Sequence, residues 1–156
     1  MKRAKMVPIA YTLGRRRVSL LLVEHANDDG SFTVANPGYK LESKANARDH
    51  FRTAARKTKE QRALGQAMAT RLPRDLPCTI TCTRFGKRSL DTRGNLEHAF
   101  KAVRDGIADV LVGVPRKVKR KGQTITVVVG DDSDPRITWD FLQERGDYAI
   151  TVRVSR

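Results

Sequence analysis

Short runs with a two-residue hydrophobic rhythm alternate along the chain with two longer runs that have a helical one, and their order outlines a fold. Ile9–Leu13 and Arg17–Glu24 carry strand-favouring residues, and Asn27-Asp28-Asp29-Gly30 is a turn before Ser31-Phe32-Thr33-Val34. An N-terminal β-meander is predicted, closed by the turn Asn36-Pro37-Gly38. A helix is expected next. Asn46 is its predicted cap, Asp49 sits where a carboxylate favours the positive end of the helix dipole, and no Pro or Gly intervenes before Gly65, so the helix should reach the vicinity of Leu72. Phe51, Ala55, Leu64, Ala67 and Met68 are expected on its buried side. Arg48, Arg52 and Arg56 repeat at i+4 on another face, either as a solvated basic surface or as phosphate contacts.

Leu72-Pro73-Arg74-Asp75-Leu76-Pro77 breaks this helix, and Cys78–Phe85 reads as a strand with one threonine-rich face. The second helix, Asn95–Leu111, has the clearest period in the chain: Leu96, Ala99, Phe100, Val103, Ile107, Val110 and Leu111 form one apolar stripe. Away from that stripe, Asp105 and Asp109 each fall within about 20° of His98 at helical spacing, with Lys101 beside them, so a polar ridge is expected. A solvated helix with a Lys101–Asp105 pair accounts for the ridge as well as a functional site does. Val114 to Gly122 reads as a basic loop feeding a strand, Gln123–Val129. Arg136–Leu142 and Tyr148–Val154 are expected to form a hairpin, with Ile137, Trp139 and Phe141 facing the core from one strand and Tyr148, Ile150, Val152 and Val154 from the other. The sum is a single α+β domain over residues 1–156, a mixed sheet flanked by two main helices, with a basic insertion at 114–129.

Composition narrows the partners. The 156 residues include 31 Lys and Arg against 17 Asp and Glu, a net charge of +14, which favours a polyanionic partner, most often nucleic acid. No apolar run approaches the ~18 residues that a membrane span needs, and Met1-Lys2-Arg3 is not followed by a signal-peptide core, so a soluble, cytosolic protein is expected. Cys78 and Cys82 would have Cα atoms roughly 13 Å apart in a strand, too far for a disulfide, and are read as buried thiols. His25, His50 and His98 are scattered and give no zinc spacing.

Against this basic background the carboxylates Asp91, Asp105, Asp131 and Asp132 are the candidate chemistry. Phosphodiester hydrolysis needs an activated water and neutralised transition-state charge, which Mg²⁺ or Mn²⁺ can supply from hard oxygen ligands. Asp91 precedes a helix and Asp131-Asp132 follows a strand, so both can lie at one edge of a shared sheet. Equally, Asp131, Asp132 and Asp134 before Pro135 have the composition of a surface turn. Phosphate-binding loops, nucleophile elbows and zinc-protease motifs are missing from the sequence.

Motif order adds a resemblance. Leu90-Asp91-Thr92-Arg93-Gly94-Asn95-Leu96, then Lys101-Ala102-Val103-Arg104-Asp105-Gly106, then Gly130-Asp131-Asp132 resembles the RusA-like Holliday-junction resolvases of bacteria and phages, and the likeness extends over about two thirds of the chain. That family has an Asp-x-Asp-Asn-Leu motif, a Lys and an Asp on the next helix, and a later Asp-Asp pair. The resemblance implies a homodimeric, Mg²⁺-dependent endonuclease that nicks branched DNA. It implies Asp91 and Asp132 as metal ligands and catalytic residues, Asp131 and Asp105 as further metal candidates, and Lys101 as the lysine at the scissile phosphate. Arg48, Arg52, Arg56, Lys117, Lys119, Arg120 and Lys121 are the candidate DNA contacts. The chain departs from the pattern at Gly94, which stands where the second motif Asp should precede the Asn, and in the long segment Val114–Val129. The alternative is therefore a nucleic-acid-binding protein of the same fold with impaired catalysis.

Overall fold

The computed structural model describes residues 3–42, 48 and 50–156. Three antiparallel strands, β1 (Lys5–Leu13), β2 (Arg16–Ala26) and β3 (Phe32–Pro37), form the expected meander. Gly14, at φ 62°, turns β1 into β2 in the left-handed region that a side chain would resist. After helix α1 (Phe51–Ala69) come β4 (Cys78–Gly86), helix α2 (Arg93–Leu111), a separate pair β5 (Val114–Arg120) and β6 (Gln123–Val129), and finally β7 (Ile137–Arg145) and β8 (Ala149–Ser155). The main sheet has six strands in the order β1-β2-β3-β8-β4-β7, so the fold is α+β with a mixed sheet and a small second sheet.

The last two strands do not form the expected hairpin. β4 lies between them, antiparallel to β8 and parallel to β7. The chain steps over the end of β4 at Gly146, whose N–H donates to the Gly86 carbonyl at 3.2 Å. Alternation reports which face a side chain takes, not which strand sits beside it, and that alternation holds: Ile137, Phe141, Ile150, Val152 and Val154 are all buried. A parallel β4–β7 pair needs a crossover, and α2 supplies it.

Register puts Val34, Val152, Cys82 and Phe141 side by side, with Ile80, Val154 and Trp139 on the same side. Both helices contribute to the one core cluster on this face, so they form a single layer over it. Phe100, Val103 and Ile107 of α2 and Leu64 and Met68 of α1 are exposed by 2 % or less. Cys78 and Cys82 are free buried thiols, and burial pushes Cys82 up to about 12. The opposite face carries the threonines Thr79, Thr81 and Thr83 of β4 with Thr33 and Thr151 beside them.

Three further expectations change at the helices and the insertion. The predicted cap residues Asn46 and Asp49 lie outside the described residues; α1 begins at Phe51, with the His50 ring accepting from the Arg52 N–H, and ends at Ala69 rather than near Leu72. Phe51 is 70 % exposed and Ala55 is exposed too, because the first turns of α1 reach beyond the core, while Leu64, Ala67 and Met68 are buried as expected. The segment Val114–Arg120 is a strand and not a loop: its residues pair in register with the β-branched run of β6 around a two-residue turn, Lys121-Gly122, with φ of 48° and 78°.

Asp109 leaves the polar ridge altogether. Arg62 stands beside Gly106 and Gly65 beside Val103, so α1 and α2 run antiparallel and very close. A Cβ at Gly106 would meet the Arg62 carbonyl oxygen at 2.0 Å, and one at Gly65 that of Val103 at 2.1 Å. This approach buries Asp109, which accepts from Arg62 Nε and Nη2 at 2.7 and 2.8 Å, from Gln66 at 2.9 Å and from the Gly130 N–H at 2.8 Å. Burial pushes its carboxyl up, but Arg62, Gly130 and Gln66 together outweigh burial and hold it below the usual carboxylate range. Asp109→Ala should lower stability by about 2–3 kcal/mol in urea unfolding, as three donors lose a charged acceptor while Arg62 keeps access to water. A depressed folded value means that Asp109 stabilises fully above the unfolded value of about 3.9 and progressively less as pH falls through the folded one, so Asp109→Asn should flatten the acid limb of the stability curve.

Candidate functional site

Lys101 and Asp105 lie one turn apart on the outer side of α2, and Asp132 comes from the loop after β6. The Lys101 ammonium donates to Asp105 Oδ1 at 2.6 Å and to Asp132 Oδ2 at 2.8 Å, so one cation joins two carboxylates that are distant in sequence. The Lys101–Asp105 pair matches the i,i+4 expectation; the third member is tertiary. Arg104 Nη2 adds a second cation to Asp132 Oδ2 at 2.5 Å, and its guanidinium carbon lies 5.9 Å from the ring centroids of both Trp139 and Phe141. The Asp132 carbonyl accepts from Trp139 Nε1 at 2.8 Å. Backbone and side chain of Asp132 are thus both held, the first by β7 and the second by α2.

The electrostatics favour the charged forms of Asp132 and Lys101. Burial pushes Asp132 up, but Lys101 and Arg104 more than compensate and leave it low. Burial pushes Lys101 down, and its hydrogen bonds to Asp105 and Asp132 more than reverse that. All four side chains keep some water: 49 % of Lys101, 26 % of Asp105, 22 % of Arg104 and 18 % of Asp132 is exposed, so the cluster is a shallow surface site.

Asp131 and Asp134 have other work. Asp131 Oδ1 accepts from the Ser133 N–H and hydroxyl at 2.9 and 2.6 Å, which holds its carboxyl low, and Asp134 is held at about 2 by Arg136. The turn expected from composition therefore describes Asp131 and Asp134, whereas Asp132 faces α2.

Asp91 makes no hydrogen bond or ion pair with Lys101, Asp105 or Asp132 among the described residues. It precedes Thr92, the cap of α2, whose hydroxyl accepts from the Asn95 N–H at 3.1 Å. Leu90 beside it is clamped by Gln143, through its N–H at 2.8 Å and its carbonyl at 3.2 Å. Two residues after Asp91, Arg93 Nη2 lies 3.8 Å from Asp140 Oδ1, beside Trp139 in β7. Among the described residues, no group of three His, Cys, Asp or Glu comes close enough to hold a metal ion.

The candidate phosphate contacts gather at one end. Arg48, Arg52 and Arg56 are exposed at the start of α1, with Arg52 lying 5.7 Å over the exposed Phe51 ring. Antiparallel packing brings this start past the end of α2, from which the β5–β6 pair with Lys117, Lys119, Arg120 and Lys121 departs. Among the described residues, no helix is long and apolar enough to cross a membrane.

Sequence reasoning did not single out Arg104 and placed Trp139 only on the core face. Arg104 lies three residues after Lys101 and borders the apolar stripe, where a long cation can cover apolar surface while its head reaches a carboxylate. A buried indole also needs an acceptor, which pointed to a nearby carbonyl but not to which one. Lys101→Met should raise the Asp132 carboxyl toward its ordinary value of about 3.9, and Arg104→Met should do the same, read by carboxyl-carbon NMR titration. No family model and no curated protein matches the chain.

Proposed function

We propose that the chain is a metal-dependent endodeoxyribonuclease acting on branched DNA, of the RusA-like Holliday-junction resolvase type. The observation that carries this reading is the Lys101 ammonium bridging Asp105 and Asp132. The helix lysine, the helix aspartate and the second member of the later pair are the residues the motif order singles out. Their convergence on a strongly basic protein is what phosphodiester chemistry requires.

The donors present fit Mg²⁺. This ion is held by one or two carboxylates and otherwise by water and substrate phosphate, and Asp105 and Asp132 are two hard oxygen donors within reach of a single cation. They are the residues that would hold it, and Asp91 and Asp131 fall outside that pair. Bound there, the ion would supply charge neutralisation and an activated water. Lys101, released from the carboxylates, can hold the scissile phosphate as a point charge, and Arg104 can take a phosphate oxygen from its seat on Trp139 and Phe141. Arg48, Arg52 and Arg56 would hold the duplex by its backbone. A homodimer in the cytoplasm of a bacterial or phage-infected cell completes the proposal.

A second reading has its own support: Lys101 and Arg104 already neutralise Asp132, and Gly94 leaves the first motif without its second Asp. The chain would then bind nucleic acid without cutting it. A synthetic four-way junction separates the two. With Mg²⁺ or Mn²⁺ the protein should nick it, and Asp132→Asn should abolish nicking while junction binding persists or tightens, since a negative charge is lost. Salt-sensitive binding without nicking under any divalent ion would favour the second reading.

A further inference from the structure

The β5–β6 ribbon has a construction that the cluster at Asp132 does not use. Its strands pair from Val114↔Val129 to Arg120↔Gln123 and form a sheet of their own. Register sorts the side chains onto two sides, with Pro115 and the exposed Val128 at the base of the lysine side. Lys117 faces Thr126 and Lys119 faces Thr124 on one side, and all four are exposed. The other side carries Val118 opposite Ile125 with Val127 and Val129, all half-buried. Arg116 and Arg120 share that second side but are exposed, and Lys121 sits in the turn. No Asp or Glu occurs between Val114 and Val129, and among the described residues none of these cations has an ion-pair partner.

The ribbon is also fixed at its base. One end leaves α2 directly at Gly113, and the other presses on the last turn of α2, where a Cβ at Gly130 would come within 2.0 Å of the Ala108 carbonyl oxygen. The Gly130 N–H is tied to Asp109, itself held by Arg62. Asp132 lies two residues beyond this anchor, so the direction of the ribbon and the position of the cluster are set by the same contacts.

We infer that this ribbon is a groove-reading arm: the face formed by Lys117, Lys119, Thr124 and Thr126 enters the major groove of a B-form DNA duplex beside the Asp132 cluster, while Arg116, Arg120 and Lys121 take the flanking phosphates. The inference rests on the nucleic-acid reading above and adds which groove, which face and which side of the site. A B-form major groove about 12 Å wide admits a two-stranded ribbon, whose strands lie about 4.8 Å apart. Ammonium donors alternating with hydroxyls that both donate and accept suit base edges, and long arginines at the ribbon's margins reach outward to the backbone. Seven paired residues extend about 20 Å, the rise of roughly six base pairs along one strand. The deep, narrow major groove of A-form RNA would not accept the arm.

The test is equilibrium binding and chemical protection in EDTA, where cleavage plays no part. Bound protein should shield guanine N7, a major-groove atom, over about six base pairs on one side of the site, and should prefer DNA duplex to RNA duplex of the same sequence. Lys117→Gln with Lys119→Gln, both at exposed positions, should remove that shielding, weaken DNA binding about tenfold or more and erase the preference over RNA. Arg120→Ala with Lys121→Ala should weaken binding to all DNA sequences alike and make the plot of log K against log salt shallower by about two. Unchanged N7 shielding in the Lys117/Lys119 variant, or shielding confined to the minor groove, overturns the arm and leaves the nuclease reading standing. Loss of all nucleic-acid binding by the unmodified protein removes both; binding and nicking with no effect of either ribbon variant removes the arm alone.

Discussion

The closeness of α1 and α2 is the constraint on which the rest of the structure depends. Two helices that touch backbone to backbone at Gly65 and Gly106 leave no room for side chains between them, and Asp109 fills the end of that seam with a carboxylate that takes up every donor nearby. A hydrophobic residue of similar volume in its place would leave Arg62 and Gln66 without their acceptor and so lower stability, even though desolvation offsets much of the ion pair's attraction. Nor could such a residue accept the Gly130 N–H. The ion pair therefore determines where the chain goes after α2 and after β6, so the ribbon and the Asp132 loop inherit their positions from a contact made inside the helix layer.

That dependence explains which parts of the molecule were legible in the sequence. The meander and the apolar stripe of α2 are local patterns, and Leu96, Phe100, Val103 and Ile107 are buried where the period puts them. The partnership of β4 with β7 and β8 is not local: the same alternation in β7 and β8 serves a direct hairpin and one with a strand inserted. Phe51 looked buried because an aromatic in a helix usually is, yet the layer beneath it ends before its turn. Asp109 looked solvated because its angle on α2 matches Asp105, and the angle says nothing about a neighbouring helix that covers one turn and leaves the other open.

The candidate site divides in the same way. Lys101 and Asp105 were visible as an i,i+4 pair, and Asp132 joined them only through the family likeness, because nothing local distinguishes it from Asp131. The structure separates the two by what each faces: Ser133 engages Asp131, while Lys101, Arg104 and the Trp139 indole engage Asp132. Asp91 illustrates the reverse. Its place before a helix start suggested convergence, but no hydrogen bond or ion pair joins it to Lys101, Asp105 or Asp132 among the described residues, although Arg93 at the start of α2 and Arg104 in its middle both meet β7, at Asp140 and at Trp139 and Phe141.

The distribution of charge follows from these contacts more than from composition. Glu24, Asp29, Glu42, Glu60, Asp75, Glu97, Asp105, Asp109, Asp132, Asp134, Asp140 and Asp147 each have a cation beside them, so most of the acidic side chains are neutralised where they stand. The excess of +14 is consequently borne by lysines and arginines without such partners, and the ribbon carries a dense run of them on a rigid support. Charge that only kept the protein dispersed would need neither a regular strand pair nor a base locked to α2, since a loop of the same composition would serve. A two-stranded ribbon by itself is marginal in water, and this one keeps its inner valines half-buried while presenting lysine and threonine outward. Such an arrangement has a physical rationale when the outer face must meet a surface of opposite charge in one register, which is the demand a duplex groove makes and bulk solvent does not.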